Sequence, residues 1–196
     1  MRKFIAIIGM MGIGMIIYSC SDSQTKGVSV NVEISNDSLI QRGEYLVNTI
    51  GCADCHSPKE MTQTGPRIID SLHLSGYPAN RKLSKANLDA MQSGYVLMNG
   101  DLTATVGPWG VTYAANISSD ETGIGNWTLE QFELAMVEGK YKGLANARNL
   151  LPPMPTQNFK NLNKSDLKAI YLYLKSTKPV RNVVPNVMSL EEYARL

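Results

Sequence analysis

The stretch Cys52-Ala53-Asp54-Cys55-His56 decides the reading of this chain. It has the C-x-x-C-H form that attaches a c-type haem. Two thiols three positions apart can each add to one of the two vinyl groups of a porphyrin. The histidine that follows is then held beneath the ring, where its imidazole can ligate iron. Three other readings of these residues are weaker. A thioredoxin-like dithiol expects a strand before it within a βαβ unit, whereas residues 39–49 read as a helix. A zinc site takes about four ligands. With three Cys and two His in the chain, it would have to join Cys52, Cys55, His56 and the distant His73, and adjacent Cys55 and His56 close a tetrahedron awkwardly. A disulfide between Cys52 and Cys55 would close a small, strained ring.

The length of 196 residues fits one domain. Met1-Arg2-Lys3 precedes an apolar run over residues 4–18, a charged n-region and an h-region too short to span a bilayer as a mature helix. The run ends Ile16-Ile17-Tyr18-Ser19-Cys20-Ser21, which is similar to a bacterial lipobox, although Tyr18 is larger than usual two places before the Cys. On that reading cleavage leaves Cys20 first, acylated on thiol and amine, and two or more acyl chains make a stable anchor. A plain signal peptide or an uncleaved anchor are the alternatives. With Cys20 lipidated and Cys52 and Cys55 on haem, no thiol is left over. Export agrees with the motif, because bacteria attach c-type haem outside the cytoplasm. The expected place is the periplasmic or cell-surface face of a bacterial membrane. Two of the 19 Lys and Arg, Arg2 and Lys3, leave with the signal, and the rest balance the 17 Asp and Glu. No steering field follows, and nothing suggests nucleic acid as a partner.

The chain divides into a signal peptide over 1–19, a tether over 20–36, a folded domain over 37–179 and a tail over 180–196. Within the tether, Val28, Val30, Val32 and Ile34 alternate as an edge strand would. A helix over Ser38–Ile50, capped by Asp37 or Ser38, carries Leu39, Gly43, Leu46, Val47 and Ile50 on one face. Residues 57–81, rich in Pro and Gly, fit no regular element. A short helical pattern over 84–93 ends at Gly94. Asn99-Gly100 between residues 95–98 and 102–106 predicts a β-hairpin, ended by Gly107-Pro108-Trp109-Gly110. Thr128-Leu129-Glu130-Gln131 is a capping box opening a helix that turns Leu129, Phe132, Ala135 and Met136 inward and stops at Gly139. Asn163 caps a last helix over 164–176, with Leu167, Ile170, Tyr171 and Leu174 as its apolar stripe.

An iron held by His56 has one axial position left, and a thioether there raises its reduction potential. Met61, Met91, Met98, Met136, Met154 and Met188 are the candidates, and most methionines are core fillers. Met154 stands apart in Leu150-Leu151-Pro152-Pro153-Met154-Pro155, where prolines fix φ and hold an extended segment. Met91 and Met136 fall on helical apolar faces, and Met61 lies too near the attachment site. His73 is the rival ligand, or else an exposed loop residue. The other nitrogen of His56, Nδ1, needs an acceptor, for which the Gly65-Pro66 turn is the candidate.

Together these residues resemble a mono-haem class I c-type cytochrome over 38–178. The resemblance implies an all-α fold, three core helices around one covalent haem c, here with an inserted β-hairpin region. It implies that the first and last helices cross, with Gly43 and Tyr45 meeting Ile170 and Tyr171. Asn116-Ile117 followed by Glu121-Thr122-Gly123-Ile124-Gly125-Asn126-Trp127 is similar to haem domains in cytochrome subunits of bacterial membrane-bound dehydrogenases for alcohols and sugar acids. Those subunits usually carry three haems, whereas this chain has one C-x-x-C-H. By that analogy Asn116 and Trp127 lie near the haem propionates, with loop packing as their other role. The expected function is one-electron transfer without catalysis, His56 and Met154 ligating iron. The expected partners are a dehydrogenase, an oxidase or a quinol-linked complex. The alternatives are a peroxidase-like haem enzyme or sensor with an open sixth site, and a haem-free dithiol protein.

Overall fold

The computed structural model describes residues 35–196; the signal, Cys20 and nearly all of the tether lie outside them. Helix α1 runs Asn36–Ile50. Ser35 is its N-cap, accepting from the Ser38 amide at 3.2 Å, so the helix starts two residues earlier than the sequence suggests. Leu39, Gly43, Leu46 and Val47 are buried, while Ile50, expected beside them, is exposed. Gly51 ends the helix in the left-handed region (φ 82°) and its N–H returns to the Val47 carbonyl. Helix α2, Cys52–His56, follows directly.

Residues 57–81 hold more order than their prolines suggest. Strands β1 (Lys59–Thr62) and β2 (Gly65–Ile68) form an antiparallel hairpin, Lys59 opposite Ile68, and a 3₁₀ turn follows at Asp70–Leu72. Helix α3 is confined to Asp89–Gln92. The hairpin expected around Asn99-Gly100 is present as β3 (Leu97–Met98) and β4 (Ala104–Gly107), but it continues into a third strand, β5 (Gly110–Tyr113). Gly107-Pro108-Trp109-Gly110 is therefore the turn of a meander in the order β3-β4-β5, not its end. Gly110 sits at φ 103°, and a Cβ there would lie 2.3 Å from the Met188 carbonyl oxygen.

Helix α4, Leu129–Val137, opens with the expected capping box of Thr128 and Gln131. Helix α5 is one turn, Thr156–Phe159. Helix α6, Lys164–Ser176, has Asn163 as its cap, accepting from the Asp166 amide at 2.8 Å. The tail packs back: Met188 bridges to Val111 of β5, and helix α7, Leu190–Ala194, starts with a second capping box of Ser189 and Glu192. The all-α expectation is thus corrected. Among the described residues seven helices accompany five short strands in two sheets.

The main apolar core joins α1, α4, α5 and α6 through Leu46, Val47, Phe132, Phe159, Ile170 and Leu174, with Leu74 and Ile124 from loops. A second cluster, built on Val106, Val111 and Tyr193, fastens the tail to the sheet. Helix α1 meets α6 at Gly43, where a Cβ would lie 2.0 Å from the Ala169 carbonyl oxygen and 2.7 Å from the Tyr173 Cβ. The partners at this approach are Ala169 and Tyr173 rather than the expected Ile170 and Tyr171, and Tyr45 points to solvent. Beside it Arg42 Nε is 2.9 Å from Asp166 Oδ1, and this bond holds the Asp166 carboxyl below its ordinary range.

In an open helix a Gly→Ala change gains about 1 kcal/mol. Here the added methyl strikes backbone, so Gly43→Ala is expected to destabilise the protein by about 2 kcal/mol in denaturant unfolding. A gain in stability would show that α1 and α6 separate freely.

Candidate haem site

One turn of helix places Cys52 and Cys55 on the same face of α2. Buried Ala53 seats α2 on the core, and Cys52 borders it too. Both thiols are free and half-buried. Burial, aided by the Asp54 charge, pushes the Cys52 thiol up to about 11, and burial raises Cys55 as well. A catalytic C-x-x-C dithiol depends on the opposite shift, toward thiolate. Among the described residues no three His, Cys, Asp or Glu side chains converge to hold a metal ion, so the zinc reading finds no ligand set there.

The end of α2 is clamped from below. The Lys59 ammonium donates to the carbonyls of Asp54 and Ser57 (3.3 Å), at the negative end of the short helix, and to that of Asp101 (3.0 Å) in the loop before β4. Asp101 is a buried carboxylate that accepts from the Lys59 amide (3.4 Å), Asn99 Nδ2 (2.8 Å), Thr103 Oγ1 (2.6 Å) and Arg81. Burial alone would raise its pKa; the bonds from Thr103 and Arg81 outweigh burial and hold it below the ordinary carboxylate value.

His56 Nδ1 lies 2.7 Å from the Ala115 carbonyl oxygen. A carbonyl only accepts, so Nδ1 carries the proton and Nε2 keeps its lone pair free. Burial lowers the His56 pKa, which keeps the ring neutral, the state a metal ligand needs. The Gly76 N–H donates to the His56 carbonyl at 2.8 Å. The acceptor is therefore Ala115, two residues beyond β5, and not the Gly65-Pro66 turn, which is engaged as the start of β2. Gly76 makes the approach possible: it sits at φ +74°, and a Cβ there would lie 2.6 Å from the Ala115 carbonyl oxygen.

Met154 is half-buried against the same core that Cys52 borders. Its segment is tied down just before the methionine. The Leu150 amide donates to Gly139 O at 2.6 Å, Thr112 Oγ1 of β5 donates to Pro152 O at 3.0 Å, and the Pro152-Pro153 peptide is cis. The other methionines separate cleanly. Met136 is buried inside the core on α4, Met91 and Met188 belong to the second cluster, and Met61 and Met98 are 75% and 42% exposed. His73 is half-buried at the end of the 3₁₀ turn. Cys20 lies outside the described residues.

Asn116 is fully used inside the protein. Its Nδ2 donates to Thr122 Oγ1 (3.0 Å), Val180 O (2.8 Å) and Asn182 O (3.3 Å), and its Oδ1 accepts from the Ser118 amide (3.0 Å) and hydroxyl (2.8 Å). Loop packing is its role, and no donor is left for a propionate. Trp127 is half-buried on the core, and its carbonyl accepts from Tyr171 Oη at 2.8 Å. Among the described residues, Trp109 Nε1 is the buried side-chain polar atom without a partner.

The donor set fits one haem c. Two free thiols share a helix face, the adjacent imidazole is locked by Nδ1 with Nε2 unused, and a thioether lies on the same apolar core as Cys52. Sequence reasoning missed Ala115, because a backbone carbonyl leaves no side-chain signal. It also missed the Lys59–Asp101–Arg81 clamp, whose members are 42 and 20 residues apart.

No protein-family model matches the chain. Over 163 residues, 81% of its length, it is 26% identical to the cytochrome c subunit of alcohol dehydrogenase (quinone) from Gluconobacter oxydans (strain 621H). It is 32% identical over 143 residues, 72% of its length, to the fructose dehydrogenase cytochrome subunit of Gluconobacter japonicus. It is 29% identical over 140 residues, 71% of its length, to the gluconate 2-dehydrogenase cytochrome c subunit of Pantoea cypripedii. The chain is thus similar to cytochrome subunits of dehydrogenases, and it spans 26%, 22% and 23% of the lengths of these three relatives.

Asp101 sets a pH test. Its folded pKa is depressed, so its bonds stabilise the protein above the unfolded carboxylate value and are lost as pH falls through the folded one. Wild type is expected to exceed Asp101→Asn by about 2 kcal/mol at neutral pH, the gap closing in acid. A gap that is the same at every pH would remove the carboxylate from the clamp.

Proposed function

We propose that this chain, similar over most of its length to part of each of those dehydrogenase cytochrome subunits, is a one-electron carrier. It holds one covalent haem c through Cys52 and Cys55, with His56 and Met154 as axial ligands. Helices α1, α4 and α6 form the core of a class I cytochrome fold, and the β3-β4-β5 sheet is the insertion. Lipid on Cys20 tethers the exported domain to a bacterial membrane, where it passes electrons from a dehydrogenase or a quinol-linked donor to a downstream acceptor. The observation that carries the reading is the His56 Nδ1 bond to Ala115 O, which leaves Nε2 free beside two unpaired thiols on one helical turn.

Bound there, haem c supplies an iron that cycles between ferrous and ferric. The chain does the rest. Ala115 holds the proton on Nδ1 and fixes the plane of the imidazole, which raises the basicity of Nε2. Met154 offers a soft sulfur from a segment braced by Thr112, so ligation costs little ordering. The core of α1, α4 and α6 keeps water away. No acid, base or nucleophile is assigned. A tether raises the effective concentration of membrane partners.

Protein matured in a host with haem-ligation machinery is expected to carry one covalent haem by mass spectrometry and a low-spin spectrum with a thioether-to-iron band. Met154→Ala is expected to lose that band, bind CO or cyanide and shift to a lower potential. Bare polypeptide would end the reading; a band unchanged in Met154→Ala would remove Met154. Cys20→Ala is expected to move the protein from the membrane fraction to the soluble one, and its retention on the membrane would remove the lipid.

A further inference from the structure

The segment after α6 reaches back to the histidine. Asn182 uses every hydrogen-bonding group of its carboxamide on one turn. Nδ2 donates to Ser75 O (2.7 Å) and Tyr77 O (2.9 Å), and Oδ1 accepts from the Ala79 amide (2.9 Å). The two carbonyls it holds flank Gly76. The Gly76 N–H donates to the His56 carbonyl, and a Cβ on Gly76 would lie 2.4 Å from the Ala114 carbonyl oxygen and 2.6 Å from that of Ala115. The same turn is laced to the segment after β5, with Tyr77 N to Ala114 O at 2.9 Å and Ile117 N to Leu74 O at 2.9 Å. The main chain of Asn182 ties in the other side: its amide donates to Thr122 Oγ1 (3.0 Å) and its carbonyl accepts from Asn116. One residue thus spans the two segments that grip His56, one at its carbonyl and one at its ring.

We propose that Asn182 is a positioning residue for the axial histidine: its carboxamide fixes the turn at residues 75–79, and through Gly76 and Ala115 that turn fixes the His56 ring. The proposal rests on the reading of His56 as an iron ligand. Asn is the residue the geometry requires. Asp has the same shape but no donor for the two carbonyls, and Ala has neither donor nor acceptor. A held Nδ1–H···O bond makes the imidazole a stronger donor and favours ferric iron. A slack turn weakens the bond and favours ferrous iron, so the midpoint potential rises.

The test uses the haem-loaded protein with Asn182→Ala, Asn182→Asp and Tyr193→Phe. Tyr193 lies in the same tail but serves the other side, accepting from the Ala86 amide (2.7 Å) and donating to Ser84 O (2.9 Å). Both Asn182 variants are expected to raise the midpoint potential and to speed amide exchange at Gly76. Tyr193→Phe is expected to lower the unfolding temperature with the potential unchanged. An unchanged potential in both Asn182 variants, with haem attached and His56 on iron, would overturn the proposal while the electron-carrier reading stands. An equal rise in Tyr193→Phe would also overturn it, because the effect would then be a general loosening of the tail. Should neither Asn182 variant fold, wild-type exchange decides: a Gly76 amide exchanging as fast as exposed loop amides overturns the proposal, and a protected one supports it. Wild type without haem would overturn both readings together.

Discussion

Residues 56 and 115 are 59 positions apart in sequence, and a 2.7 Å hydrogen bond between them sets the terms for everything around the C-x-x-C-H turn. The bond puts the proton on Nδ1 and leaves Nε2 its lone pair, while burial keeps the ring neutral. It needs a carbonyl at a defined place, and a carbonyl can be placed only by its backbone. Strand β5 delivers the chain to Ala115, Gly76 lets the neighbouring turn come close enough to brace it, and the segment after α6 braces that turn. The site is built mainly from main-chain groups, with side chains acting as clips.

Magnitudes separate the clips from the surface pairs. Arg67–Glu60, Arg181–Glu121 and Arg195–Glu191 join side chains that are all largely exposed, so solvent and salt leave them little weight. The Lys59–Asp101–Arg81 group is different, because Asp101 is buried and loss of Arg81 would leave its carboxylate without a paired cation. It fixes the end of α2 against the loop before β4. The approach of α1 to α6 depends on volume rather than charge: Gly43 admits the Ala169 carbonyl, and the apolar core closes around that point.

Helices α1, α4 and α6 were legible because each announced itself twice, by an apolar face at helical spacing and by a polar cap: Thr128 with Gln131 for α4, Asn163 for α6, and for α1 a cap expected at Asp37 or Ser38 that Ser35 provides. Met154 was set apart from the other methionines by the prolines around it, and it is half-buried against the main core. The strands were harder. Strand β4 is buried at all four positions, so it shows no alternation, and β1 and β2 are four residues each with mixed exposure. Strand β5 hid behind Gly107-Pro108-Trp109-Gly110, which reads equally as an end or a turn until Met188 is seen against Gly110. Helix α7 carried a readable sign, Ser189 with Glu192, in a stretch taken only as a tail. Asn116 was singled out by analogy, beside the propionates or in loop packing, and its partners are the loop and the tail. Ala115 could not be found at all by residue type.

The second apolar cluster has its own bearing on the redox site. Val111 of β5 lies in it, and Ala115, the acceptor for His56, follows only two residues after that strand ends. Tyr77, beside Gly76, packs against Tyr113 with ring centroids 4.7 Å apart and planes tilted by 54°. A sub-global opening of the sheet would carry the imidazole's anchor with it while the main helices stayed closed. The carbonyl that accepts from His56 is thus carried by the sheet and its own small cluster, not by the helical core that Cys52 and Met154 border.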